Sequence, residues 1–184
     1  MINLINGLPN TIEVDGKPYH IYTDYRVWLK FGQTVANGES DFSFIFVKET
    51  PLLRINDTIY MSDDCAKALV NFYLNENELP RDSKTNVRAI DFEIDSELIY
   101  AAMLQQYGID IFETGLHWHK FKALISALTE KTLLGQVMGW RNYEGKEKEI
   151  CKLREVWALP EILTEEEKEM LDKFERNASW QMED

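Results

Sequence analysis

Apolar positions in this chain alternate first and then settle into helical spacing. Thr11 to Tyr22 reads TIEVDGKPYHIY. Ile12 and Val14 alternate with polar neighbours, Asp15-Gly16 marks a tight turn, and Tyr19 and Ile21 alternate again, which predicts a β-hairpin. Pro18 has no amide to donate, so it belongs on an edge. Thr23 is the expected N-cap of the next element, with Asp24 in a first turn where the helix dipole favours an anion. Tyr25, Trp28, Leu29 and Phe31 then form an apolar face through about Ala36, and Asn37-Gly38 ends it. The run FSFIFV at 42–47 fits a strand or a buried helical turn, and periodicity does not choose between them. Ser62 caps a helix from Asp63 to about Leu74, with Ala66, Leu69, Val70 and Tyr73 on one face. The polar segment 75–88 contains Pro80 and is the longest expected loop.

The stretch Asp91–Arg141 organises the rest of the chain. DFEID reads as strand-like, with Phe92 and Ile94 inward and Asp91, Glu93 and Asp95 sharing the other face. Asp95 or Ser96 starts a helix whose Leu98, Ile99, Ala102, Met103 and Tyr107 face one way. Tyr100 and Leu104 point elsewhere, so this helix is apolar over much of its circumference and is expected to be buried. Gly108 is placed as its C-cap. A second helix runs from about Leu116 to Leu128, with Trp118, Phe121, Leu124, Ile125 and Leu128 inward. Thr129 caps a third, where Leu133, Leu134, Val137, Met138 and Arg141 share a face. Short links predict antiparallel neighbours.

Beyond Gly145 the segment KEKEICKLREVWAL is amphipathic, with Ile150, Leu153 and Val156 or Trp157 in line, and Pro160 breaks it. From Thr164, TEEEKEMLDKFERN carries few apolar residues: Met170, Leu171 and Phe174, with Trp180 further on. Residues 161–184 hold nine acids against three bases. Three fates fit this segment: weak docking, exchange onto another subunit, or ordering on a partner. The resulting expectation is a mainly α multi-helix bundle with a small N-terminal β-hairpin. Residues 1–160 form a single globular domain and 161–184 an acidic C-terminal helix or tail.

Composition narrows the function. The 184 residues are 45% hydrophobic and 28% charged, with a formal net charge of −12. An acidic surface repels phosphate backbones and anionic headgroups, and the lysines and arginines are scattered among acids, so neither nucleic acid nor membrane is an expected partner. No segment approaches the ~18 consecutive apolar residues of a membrane span. MINLINGLPN lacks the basic and apolar regions of a signal peptide, so the host cytoplasm is the expected compartment. Cys65 and Cys151 sit in no paired motif and read as two separate reduced thiols.

Two clusters could carry chemistry. His117 and His119 flank Trp118, but on a helix residues two apart diverge by about 200°. The bland reading, two surface or boundary histidines beside a buried tryptophan, is favoured over a metal site. The acids Asp91, Glu93, Asp95 and Glu97, with Asp110 and Glu113 further on, could hold a divalent ion or act as acid and base. A solvated face and a helix cap explain them more simply. Motifs for nucleophiles, nucleotides or cofactors are absent, so no cofactor is expected. Tyr22, Tyr25, Trp28 and Phe31 read as core. Gly32, Gly135 and Gly139 fall inside helical patterns and invite close helix contact. Arg26 and Arg141 lie within aromatic-rich helical patterns, where an arginine usually pairs with a carboxylate; Asp91 and Asp95 are the natural partners.

The segments TDYRVWLKF, IDFEIDSELIYAAMLQQYGIDI and LHWHKFKALISALTEKT, with a final WR, resemble the bacteriophage gene-product-fifteen family of tailed phages and prophages of Gram-positive bacteria. The resemblance covers about residues 8 to 157, with 42–60 and the acidic C-terminus fitting less well. Its signature residues are Arg26, Asp91, Asp95, Trp118, Phe121 and Arg141. It implies a role in tail morphogenesis: a non-enzymatic tail-assembly chaperone that coats the tape-measure protein and helps recruit tail-tube protein in the host bacterial cytoplasm. Such a protein would self-associate readily and be absent from the finished virion. The alternative within the family is a minor tail component that stays in it. A metal-dependent enzyme using His117, His119 and the acids of 91–97 is the remote alternative. Met170, Leu171, Phe174 and Trp180 are the candidate interaction element.

Overall fold

The computed structural model describes residues 5, 7–47, 54–55, 58–59, 62–74 and 88–160. Among them are six helices and two small antiparallel strand pairs, which makes the chain mainly helical with a minor β part. The expected tail element lies outside the described residues, as does nearly all of the expected loop 75–88.

The hairpin forms where alternation placed it. Strands β1 (Thr11–Val14) and β2 (Lys17–His20) pair Ile12 with Tyr19 and Glu13 with Pro18. Asp15 (φ 51°) and Gly16 (φ 72°) both adopt left-handed backbone, as a two-residue hairpin of the type I′ class requires. The second pair, β3 (Arg54–Ile55) and β4 (Thr58–Ile59), was not anticipated. The ambiguous run at 42–47 is neither of the expected alternatives in full. Ser43–Ile45 is a single 3-10 turn, and Phe46 then bridges to Ile21. Ile45 and Phe46 are both buried.

Helix α1 (Tyr25–Ala36) is capped by Asp24, one residue later than predicted, through the Arg26 amide at 3.0 Å. Thr23 lies one residue outside the cap, and its carbonyl accepts the Trp118 amide at 2.7 Å. That bond and Tyr25 N–H to Leu116 O (2.8 Å) lock the start of α1 to the start of α4 (Trp118–Ser126). Helix α2 (Asp63–Leu74) is capped by Ser62, as expected. Its buried stripe is Cys65, Leu69 and Phe72; of the expected face Ala66, Leu69, Val70 and Tyr73, Leu69 is buried, Ala66 and Tyr73 are half-buried and Val70 faces out. Both stripes satisfy helical spacing. What selects one is a tertiary partner: Phe72 stacks on Trp28 with ring centroids 4.4 Å apart.

The acids at 91–95 form a turn instead of a strand. The Asp91 carboxylate accepts the amides of Glu93 (2.9 Å) and Ile94 (2.8 Å), and Asp95 accepts the Asp91 amide (2.9 Å). Such side-chain-to-backbone bonds compete with an extended ladder. They leave Ile94 exposed and Asp95 buried. Helix α3 (Ser96–Tyr107) ends at Gly108 in the left-handed region, as predicted. It buries Ile99, Ala102 and Met103 on the expected side, but its second apolar side is turned outward, with Leu104 exposed.

Helix α5 (Leu133–Arg141) is capped by Thr132, not Thr129. Thr129 gives its amide and hydroxyl to the Gln106 side chain and belongs to the turn. Thr132 is buried; it donates to Thr129 O and accepts the Gly135 amide. Leu134, Val137 and Arg141 are buried, whereas Leu133 is exposed. Helix α6 (Lys148–Val156) packs against α5 and has no buried residue.

The core joins α1, α2 and α4 through aromatic pairs. Tyr25 stacks on Phe121 (4.5 Å) and Tyr73 on Trp118 (5.1 Å), each pair worth about 0.5–1.5 kcal/mol beyond its buried area. Both core indoles are satisfied: Trp28 donates to Tyr22 O and Trp118 to Tyr73 O. Tyr22 itself is exposed, against expectation.

Of the three helical glycines, two meet a neighbour. A Cβ on Gly32 would lie 2.6 Å from the Tyr73 hydroxyl and one on Gly135 only 2.1 Å from Thr129 O, while Gly139 meets nothing within 4 Å. The Thr129 carbonyl is backbone held by the Thr132 hydroxyl and cannot give way cheaply. Gly135→Ala is therefore expected to lower unfolding free energy by about 1–3 kcal/mol, despite alanine's better helix propensity. Gly139→Ala should cost nothing. Denaturant unfolding of the two variants checks the contrast.

Candidate functional site

Arg141 sits at the last turn of α5 with its side chain 4% exposed, facing Asp95 at 3%. The guanidinium contacts both carboxylate oxygens, at 2.6 and 2.9 Å. Its remaining donors reach Trp157 O (2.7 Å) and Ala89 O (3.0 Å). A planar fork suits this bidentate arrangement in a way an ammonium does not. Burial pushes the Asp95 carboxyl up, but the bonds from Arg141 and the Asp91 amide outweigh it and hold the group below the usual carboxylate range. The predicted partner is found. Asp91 instead lies 3.4 Å from Arg88.

Arg26 does not reach Asp91 or Asp95. It pairs with Asp24 at 2.8 Å, and its side chain is 55% exposed. An exposed pair of this kind contributes little to stability.

The histidines depart furthest from expectation. His117 is the N-cap of α4, in extended backbone, so the two rings do not diverge. Their centroids are 5.1 Å apart. His117 Nδ1 accepts the His119 amide at 3.1 Å, which leaves Nε2 to donate to Pro9 O at 2.8 Å. His119 is 1% exposed, packs on Phe72 (4.3 Å), and points Nε2 at Phe72 O at 2.8 Å. Its Nδ1 is buried without a partner. This pattern fixes both rings as neutral donors to backbone carbonyls. Burial lowers the His117 ring and takes His119 down to about 4.

The acids do not converge. Glu93 and Glu97 are exposed, and Asp95 is consumed by Arg141. Among the described residues, no group of three or more His, Cys, Asp or Glu is gathered to hold a metal ion. Cys65 is buried, which raises its thiol pKa and keeps it protonated, and Cys151 is a free thiol. No described helix is long and apolar enough to cross a membrane. The signature aromatics Trp118 and Phe121 are both core, at 1% exposure.

What remains for function is surface. On the outward side of α3, Tyr100 and Leu104 lie one turn apart. Phe112, 68% exposed, leans on the Tyr100 ring at 5.2 Å. A second feature is a hollow of about 420 Å³ between α5 and α6, lined by Glu130, Gln136, Gly139, Trp140, Tyr143 and Ile150. A third, of about 530 Å³, lies between the hairpin and α2 and is rimmed by Glu13, Asp15, Asp64 and Lys67. Phe112, Trp140 and Tyr143 were not singled out by sequence reasoning. The available signal was the set of apolar residues left over on the off-side of α3. Met170, Leu171, Phe174 and Trp180 lie outside the described residues.

Among the described residues, buried groups serve packing, and the exposed apolar groups are divided between helix faces and the turns beside them. The chain belongs to the Bacteriophage Gp15 protein family, whose model matches residues 4–177. The match takes in 42–60, and it runs through the acidic segment to 177, beyond the span of the expected resemblance. No curated protein and no solved structure matches the chain. Family membership makes this a phage protein, and the family is not a known enzyme family.

The histidine geometry has a measurable consequence. Free in the unfolded chain, His119 titrates near 6.5; in the folded chain it titrates near 4. Below pH 6.5 the unfolded state binds a proton that the native state refuses, so stability falls as pH drops, until about pH 4. The expected loss across that window is on the order of 3 kcal/mol. Urea unfolding at pH 7 and pH 4.5 should show it, and the pH slope should flatten in His119→Gln.

Proposed function

We propose that this protein is a non-enzymatic phage tail morphogenesis protein, acting in the host cytoplasm as an assembly chaperone for the tape-measure protein, the tail-tube protein or both. The observation that carries the reading is the family match across residues 4–177. The tail-assembly role itself is what the sequence resemblance implies.

Two physical features support it. A client with amphipathic helices would be recognised by apolar anchors on an exposed face. Tyr100, Leu104 and Phe112 form such a face on and beside α3, with Phe112 the most exposed aromatic among the described residues. The net charge of −12 keeps a protein bearing such a patch soluble and limits unspecific association. Self-association and the acidic segment's Met170, Leu171, Phe174 and Trp180 remain part of the proposal as additional contacts.

Co-expression with the tape-measure protein from the same phage tests the reading. The expected outcome is co-purification and a several-fold rise in the client's soluble yield. Phe112→Asp should abolish both while changing the protein's own stability by less than ~0.5 kcal/mol. A wild-type protein that neither co-purifies with nor solubilises the tape-measure or tube protein would overturn the proposal.

A further inference from the structure

The N-terminal hairpin has one edge in use and one edge free. On the far side of β2, Tyr22 N–H donates to Ile45 O at 2.7 Å and Val47 N–H to His20 O at 3.3 Å, around the bridge from Ile21 to Phe46. Among the described residues, nothing equivalent flanks β1. In a two-residue hairpin the ladder bonds join Val14 to Lys17 and Ile12 to Tyr19, and Ile21 N–H continues the series to Asn10 O at 3.1 Å. Thr11 and Glu13 therefore turn their amides and carbonyls away from β2. None of these four groups has a partner among the described residues.

This edge is held in shape from behind. Ile12 and Val14 are buried in the core, and His117 Nε2 holds Pro9 O at 2.8 Å just ahead of β1. Beside the edge lies the hollow of about 530 Å³ between the hairpin and α2, with Ile12, Ala68 and Phe72 on its apolar side. An open edge is a template for another strand, and the hollow offers room for that strand's inward side chain.

Charge decides what kind of strand it is. From β1 through β2, and along α2, the acids are Glu13, Asp15, Asp63 and Asp64 and the bases Lys17 and Lys67. Lys67 lies 3.8 Å from Asp64, with both side chains exposed. Lys17 is on β2, one strand removed from the edge. Glu13 and Asp15 have no cationic partner among the described residues. Edge-to-edge pairing of two copies would set these acids against themselves, between chains of net charge −12 each, and like charges across a strand pair are destabilising.

We propose that the β1 edge takes up an extended, lysine- or arginine-bearing segment of another protein as an added antiparallel strand. Two residues of that segment, two positions apart, exchange pairs of hydrogen bonds with Thr11 and Glu13. Their side chains share the solvent face with Glu13, where a cation is favoured. The residue between them points as Ile12 does, toward α2, and meets Ala68 and Asn71 in the hollow, which suits a small apolar side chain. This edge shares no residue with the face of Tyr100, Leu104 and Phe112, so either can fail without the other.

Titration of the full chain with a capped eight-residue peptide of alternating Lys and Val, followed by amide NMR shifts and hydrogen exchange, tests it. In the free protein the Thr11 and Glu13 amides should exchange openly at every protein concentration. On titration they should show the largest shifts and gain protection, with saturable binding below about 1 mM. The matching Glu-Val peptide should bind roughly tenfold more weakly or worse, and Glu13→Lys should weaken the Lys-Val peptide by about fivefold or more. Methylating the lysine amides removes the donors that face β1 and should weaken binding roughly tenfold, whereas methylating the valine amides should change it by less than about threefold. No saturable binding by about 1 mM would overturn the proposal. An equal effect of the two methylations would also overturn it, because charge alone would then explain the binding. Thr11 and Glu13 amides already protected in the free protein would show the edge filled by the chain itself, and protection that rises with concentration would assign it to a second copy; either result overturns the proposal.

Discussion

The buried ion pair between Arg141 and Asp95 is the constraint on which the second half of the molecule depends. One guanidinium joins the start of α3, the chain entering it at Ala89, the end of α5 and the end of α6. Taking two charges out of water costs several kcal/mol per ion, and attraction offsets this only when geometry is good and the remaining donors are satisfied. Both conditions hold here: two short bonds to the carboxylate and two to backbone carbonyls. The pair therefore contributes more to placement than to net stability. It dictates where α3 and α5 cross and where the chain emerges after Trp157.

The first half is organised differently, by aromatic area. Trp28, Phe72, Tyr73, Trp118 and Phe121 stack across α1, α2 and α4, and backbone bonds between Thr23, Tyr25, Leu116 and Trp118 fix the two helix starts side by side. His117 and His119 belong to this frame. They cap α4 and tie it to the N-terminal segment and α2, work done by neutral imidazoles. Phe92, packed on Trp118 and Phe121 just ahead of Asp95, links the aromatic half to the ion-pair half.

Local chemistry was legible in the sequence, and tertiary choice was not. Asp15-Gly16 and Gly108 could be placed because left-handed backbone restricts the residue type. The Arg141–Asp95 pair could be anticipated because an arginine within an apolar pattern requires an acid. Thr129 and Thr132 both qualify as caps, and only the Gln106 side chain, distant in sequence, decides between them. The stripe on α2 has two phases of equal periodicity, and Trp28 selects one. His119 looked like a boundary residue because nothing in LHWHKF shows that His117 is a cap rather than a helical residue. Leu104 and Tyr100 marked α3 as apolar all round. That pattern reads as burial in a closed domain, but it reads equally as an uncovered face in a protein that works by contact. The candidate client surface was therefore visible as residues and hidden as exposure.

The proposed chaperone role would require exposed apolar groups to coexist with a single stable packing, and the acidic composition and the helix crossing set by Arg141 are compatible with that. The most direct measurement is a double-mutant cycle on Asp95→Leu and Arg141→Met, read as unfolding free energies. Each single substitution strands a buried partner and should cost about 3–5 kcal/mol. The double variant should cost no more than the worse single one. If the two costs instead add, the pair is not what holds α3, α5 and α6 in place.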